Sequence, residues 1–279
     1  MNDFDNGLIT TFLNKPTTIS STYIYSNDTV CILTFDKSIK DSSKHKQIVQ
    51  TVGNLLSFIQ APKGFQCYLF LIDEPKILEE DEWPQRKNVN SGFAIPDSNE
   101  IFVYRSEEYE RVILHECIHA LGLDWNLHTS DPIVKPLLNC WKLEEDSVLY
   151  PHLFEAWTEL YAEWLYCIFY SKPSDTLGVE WDCQRAWQDH QAIQILCRLK
   201  KDESWAENTN VFAYYILKAC LSPFIGLLFL TKIGKSHDET VKLLCHYVHL
   251  RLDELKRVAS KTTPKTIALR MVNPFCHKE

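Results

Sequence analysis

The sequence predicts an α+β fold: a mixed α/β N-terminal half, residues 1–130, then a mainly helical C-terminal half, residues 131–279. Three observations lead there. Short β-branched and aromatic runs bounded by turn residues lie before residue 106. Apolar residues spaced three and four apart mark one helix among those strands and every long segment after residue 125. A chain of 279 residues, 45% hydrophobic and 24% charged, can bury a substantial core as one large domain or two lobes.

The elements follow in order. Thr22 to Tyr25 and Val30 to Phe35 read as strands. Ser42 to Gln60 reads as a helix, because Ile48, Val49, Val52, Leu55, Leu56 and Ile59 share one side. Phe65 to Ile72 is a third strand, rich in aromatics. Asp73 to Asn90 is polar, acidic and interrupted by proline, the composition of a surface loop. Ser91 to Ala94 suits an edge strand, and Glu100 to Arg105 another strand. Ser106 is placed to cap the next helix, whose first turn carries Glu107, Glu108 and Glu110. Val112, Ile113, Ala120 and Leu121 form its apolar side, and Gly122 suits its C-terminal stop. Beyond residue 125 strand patterns vanish. Residues 151–171, 183–201, 209–221, 224–233 and 237–258 read as helices, which puts a cleft between the halves.

The helix after Arg105 carries His115-Glu116-Cys117-Ile118-His119, an H-E-x-x-H pattern. Residues four apart stack on one helical face, so the two imidazoles can reach one metal ion with Glu116 beside them. That arrangement suits one catalytic Zn²⁺ and a carboxylate that takes a proton from its water. A catalytic zinc needs a third protein ligand and an open position. Six residues after His119 stands Trp125, which cannot bind zinc, and Met1 and Met271 are the only methionines. Those facts exclude the branch with a third histidine and a methionine turn. Asp124, His128 and Asp131 form one candidate set in the following loop. The stronger candidates are Glu155, Glu159 and Glu163. They recur every fourth residue on a helix otherwise made of Leu153, Phe154, Ala156, Leu160, Ala162, Leu165 and Ile168. Carboxylates on so apolar a helix require a cation opposite them.

H-E-x-x-H followed by E-x-x-x-E on a later helix resembles the gluzincin, or thermolysin-like, branch of zinc metallopeptidases. The resemblance covers two short helices, and Phe154 stands where that branch has Asn. It implies that Glu155 is the third ligand and that Glu159 supports a ligating histidine through its ring N–H. A frame slipped by one turn would make Glu159 the ligand and Glu163 its support. The implied activity is hydrolysis of a peptide or protein substrate, with Glu116 as general base. An oxyanion donor is expected from the helical half, where His190, Tyr214, Tyr215 and Tyr161 are candidates. A non-peptidase zinc hydrolase and an inactive metallopeptidase-like binding protein are the alternatives. The edge strand over 91–94 could take a substrate chain by backbone hydrogen bonds.

The net charge of −8 and the lack of a basic patch leave nucleic-acid binding without electrostatic support. Ten cysteines occur without a C-x-x-C pair. Several of them (Cys117, Cys167, Cys197, Cys220, Cys245) sit among apolar residues, as reduced thiols do. The polar, acidic opening Met1-Asn2-Asp3-Phe4-Asp5 is no secretory leader, so a cytoplasmic location is expected. Val211 to Thr231 has the length of a membrane span, but Lys218, Ser222-Pro223 and Gly226 interrupt it and favour two buried helices. His246 and His249 are three apart near Cys245, a spacing more common in unliganded helices than in a second metal site.

Overall fold

The structure is a computed structural model that describes residues 5, 7–24, 28–36, 42–95, 98–124, 153–171, 177–198, 209–226 and 237–271. Its N-terminal part comprises α1 (Leu8–Leu13), β1 (Thr18–Ile24), β2 (Val30–Asp36), α2 (Ser42–Phe58), β3 (Gln66–Ile72), β4 (Ile77–Leu78), α3 (Arg86–Val89), β5 (Gly92–Ile95), β6 (Glu100–Arg105) and α4 (Tyr109–Ala120). After these come α5 (Leu153–Tyr170), α6 (Leu177–Leu196), a π-helix (Phe212–Leu217) running into α7 (Lys218–Leu221), α8 (His237–Ala259) and β7 (Ile267–Ala268). The fold is α+β, with a strand-bearing N-terminal region and a mostly helical C-terminal part.

Five strands form one mixed sheet in the order β1-β2-β3-β6-β5. β2, β3 and β6 run parallel, while β1 and β5 pair antiparallel at the two ends. Parallel neighbours need a crossover, and α2 supplies the one between β2 and β3. Successive side chains alternate between the faces of the sheet. Cys67, Leu69, Ile101 and Val103 meet Val52 and Leu56 of α2 and Val112, Ile113 and Cys117 of α4. Phe70, Ile72 and Tyr104 point the other way, onto Ile9 and Phe12 of α1. That six-residue helix is too short to show a periodicity in the sequence.

A second core gathers the helical half, with Trp157, Leu160, Ile195, Ile216, Val248 and Leu252 among its members. Between the two cores, Leu55, Leu114, Ile118 and Ala162 join α2, α4 and α5. α4 is therefore covered on several sides, and Arg111 through Ile118 are all buried.

Three expectations are corrected. Ser106 does not cap α4: the helix starts at Tyr109, and its N-cap Glu108 has φ 50° and makes no side-chain cap. Glu107 and Glu108 serve other partners, accepting the Lys76 and Met271 backbone N–H groups at 2.7 Å each. Residues 73–90 are not a surface loop, since Lys76, Leu78, Asn88 and Val89 are buried and β4 and α3 form among them. Strands also do not vanish after residue 125. β7 pairs antiparallel with β4, Ile77 opposite Ala268 and Leu78 opposite Ile267, so the tail crosses the expected division at 130.

The expected helices 151–171, 183–201 and 237–258 correspond to α5, α6 and α8, whereas most of 224–233 lies outside the described residues. No helix of the described residues is long and apolar enough to cross a membrane. Among the described residues, Cys31, Cys67, Cys117, Cys167 and Cys220 are buried thiols outside any disulfide.

Candidate metal centre

α4 and α5 pack against each other, and spacing by four arranges each contact face in a row. On α4 the row is Arg111, His115, His119; on α5 it is Glu155, Glu159, Glu163. Glu155 Oε2 lies 3.4 Å from His119 Nε2 and 3.7 Å from His115 Nε2, and the two ring nitrogens are 3.0 Å apart. One turn along, Glu159 Oε1 is 3.2 Å from His115 Nδ1, while its other oxygen bonds Arg111. Another turn along, Glu163 pairs with the buried Lys218 and accepts from Gln188. Each acid of the stripe thus faces a cation or an imidazole, which is how so apolar a helix tolerates three carboxylates.

His115, His119 and Glu155 each offer a donor atom within 4.8 Å of the others. Two imidazole nitrogens and a carboxylate oxygen directed at one point repel unless a cation or proton lies between them. With metal bonds of about 2.0–2.1 Å, a tetrahedral zinc site has edges of about 3.3 Å. The three separations, 3.0, 3.4 and 3.7 Å, scatter around that length. The donor set is therefore compatible with a metal ion.

The outer ring nitrogens point to the same chemistry. His119 Nδ1 lies 3.0 Å from Asp124 Oδ2, and Asp124 Oδ1 accepts from Thr158 Oγ1 at 2.7 Å. Asp124, one of the loop candidates for third ligand, is thus at the ring nitrogen turned away from Glu155; His128 and Asp131 lie outside the described residues. A carboxylate on the outer N–H fixes the tautomer and directs the Nε2 lone pair inward. The Schellman turn that ends α4 brings Asp124 back to His119. There Gly122, at φ 62°, bonds His119 O and Leu123 bonds Ile118 O.

Electrostatics favour positive charge here. Burial opposes protonation of His119, but the hydrogen bond to Asp124 and then the Glu155 and Glu116 carboxylates push it up to about 11. Burial likewise works against the charge on Glu159, yet Arg111, His115 and Lys218 hold it well below the usual carboxylate range. Glu116 behaves oppositely: burial raises it, and the two histidines and Arg111 only partly offset that. Side-chain exposure of 20% at His119 and 12% at Glu155, against 7% at His115, puts the solvent approach on the His119 side.

Glu116 lies directly under the edge strand. A Cβ added at Gly92 would stand 2.9 Å from Glu116 Oε1 and 2.8 Å from Phe102 O. The backbone of β5 therefore passes over this carboxylate. Among the oxyanion candidates, Tyr214 lies beside the cluster, its ring 6.0 Å from that of His115. Asn210 Nδ2 donates to its hydroxyl oxygen at 3.4 Å. Burial and the Glu155 and Glu159 charges raise its phenol well above the ordinary value, so it keeps its proton. Tyr215, next along the π-helix, points away and donates to Leu269 O at 2.8 Å. The His190 ring lies 5.8 Å from that of Trp187, and burial together with Lys265 lowers its pKa. Tyr161 stacks on Trp157. His246 and His249 are exposed, with His249 Nε2 3.6 Å from Asp253.

Arg111 and Lys218 were not anticipated as parts of this site, and Gly92 only as part of the edge strand over 91–94. Arg111 could have been found: it stands one helical turn before His115, in the same row. No protein-family model, curated protein or solved structure matches the chain.

Proposed function

We propose that this chain is a zinc-dependent metallopeptidase of the gluzincin type, and that Glu155 completes the ligand set. The reading is carried by the convergence of His115 Nε2, His119 Nε2 and Glu155 Oε2, with a carboxylate behind each ring. A zinc ion held there supplies an acidified water, with a pKa of about 7, and a Lewis acid for the substrate carbonyl. Glu116, its pKa raised by burial, takes the proton of the attacking water and passes it to the leaving amine. Tyr214 donates a hydrogen bond, keeping its proton, to the oxygen on which negative charge gathers.

The choice of a peptide over another amide or ester rests on β5. It ends the sheet among the described residues, and its backbone at Gly92 lies against Glu116. An extended peptide that adds to this edge by main-chain hydrogen bonds brings its carbonyl to the metal centre. An inactive binding protein would have no need of a buried Glu116 beside the two histidines. The buried thiols outside any disulfide support a cytoplasmic setting.

The test is Glu116→Gln. The variant should retain about one zinc per chain and lose roughly 10²- to 10⁴-fold in hydrolysis of a peptide library. Undiminished hydrolysis by this variant would overturn the mechanism, and a wild-type protein without zinc would overturn the ligand set.

A further inference from the structure

Behind the metal centre runs a line of buried charges that hydrolysis itself does not use. Lys76 Nζ contacts Glu108 Oε1 at 2.7 Å, and the same oxygen is 3.9 Å from an Arg111 nitrogen. Arg111 bonds Glu159 Oε2, and Glu159 Oε1 reaches His115 Nδ1 at 3.2 Å. The Lys76, Glu108, Arg111 and Glu159 side chains are between 1% and 4% exposed. The other Glu108 oxygen accepts the backbone N–H of Met271 at 2.7 Å, which ties the line to the C-terminal strand. Buried ion pairs contribute little net stability, and apolar residues of the same volume are often the more stable choice. Energy of folding is therefore a poor explanation for four such groups in series that end on the His115 imidazole.

We propose that Arg111 is a positioning residue for His115, acting through Glu159; this rests on the metal centre read above. The guanidinium is a rigid planar donor, and by holding Glu159 Oε2 it fixes the plane of the carboxylate. The remaining oxygen is then directed at His115 Nδ1, which sets both the tautomer and the ring angle. Glu108, held by Lys76 and Met271, anchors the far side of the guanidinium.

The experiment compares the full-length wild type with Arg111→Met and Arg111→Lys. Zinc affinity is read by competition with a chromophoric chelator, and site geometry by the visible spectrum of the cobalt(II)-loaded protein. Arg111→Met should bind zinc roughly 10- to 100-fold more weakly, with an altered cobalt spectrum. Arg111→Lys, which keeps the charge but not the fork, should recover part of the affinity while remaining several-fold below wild type. A merely structural role would lower the thermal midpoint yet leave affinity and spectrum of the folded protein unchanged, and that result overturns the proposal. If Arg111→Met does not fold, Arg111→Lys alone decides, with wild-type affinity the overturning result. Wild-type protein that binds no zinc overturns the underlying metal centre as well, an outcome distinct from unaltered binding in the variants.

Discussion

His119 is held between Asp124 on one ring nitrogen and Glu155 on the other, so its imidazole favours the charged form up to a pH of about 11. A metal ligand must be neutral at the coordinating nitrogen, so zinc has to displace that proton. Around neutral pH, binding should release about one proton per zinc, and apparent affinity should rise about tenfold per pH unit. Calorimetry of zinc binding in two buffers of different ionisation enthalpy measures the release; identical apparent enthalpies in both would contradict it. The sign for folding is opposite. A group whose pKa is raised on folding stabilises fully below its unfolded value of about 6.5 and loses that contribution as pH climbs towards 11. Alkali should thus weaken the metal-free fold while it strengthens zinc binding. His115, Glu116 and His119 were legible in the sequence because their spacing alone sets them on one face. Glu155 and Glu159 differ by one helical turn, and periodicity cannot separate them; only the packing offset of α5 against α4 does. The same spacing also puts Arg111 in the row with His115, but an arginine near a helix start reads as solvated until a partner helix covers it.

Strand β5 shows what an element contributes beyond its residues. Gly92 is where β5, β6 and α4 come closest: a Cβ there would sit 2.8 Å from Phe102 O, 2.8 Å from Val112 Cγ1 and 2.9 Å from Glu116 Oε1. The first of these is backbone and cannot rotate away. Gly92→Ala should therefore cost about 1–3 kcal/mol of stability, and it should also displace Glu116, lowering turnover while zinc content stays at wild-type level. Gly64→Ala is the matched control. That glycine has φ 83° with open space around it, so alanine should cost about 1 kcal/mol through backbone strain alone and spare Glu116. Urea unfolding and zinc analysis of the two variants separate the effects, and equal activity in both would refute the close approach of β5. The long strands and helices were readable from pattern because each carries enough residues to show a period. β4, β7 and α3, with two, two and four residues, carry none. They form because buried partners hold them: Leu269 N–H bonds Lys76 O at 2.7 Å, Gln191 Nε2 donates to Ala268 O at 3.1 Å and Arg270 O at 2.6 Å, and Asn88 Nδ2 of α3 donates to Ile77 O at 2.9 Å.

For the whole molecule, the candidate ligands come from two differently built regions. His115 and His119 belong to α4, which packs on the sheet and α2; Glu155 belongs to α5, whose Ala156, Trp157 and Leu160 lie in the helical core. The apolar seam of Leu55, Leu114, Ile118 and Ala162 joins these regions, as do the Arg111–Glu159 pair and the Thr158–Asp124 hydrogen bond, and a bound ion would add a further join. An ion that binds only the assembled fold stabilises it by mass action, by about 2.7 kcal/mol when free zinc is one hundred times Kd. For a chain of this size that is a rise of several degrees in Tm, reversed by a chelator. Glu155→Ala removes the ligand supplied by the helical side, so its Tm should no longer respond to zinc or chelator. Glu163→Gln, two turns further along the same face and paired with Lys218, should lower Tm yet leave the zinc response in place. If chelation leaves the wild-type Tm unchanged, or shifts that of Glu155→Ala equally, then no ion held by Glu155 helps to join the two regions.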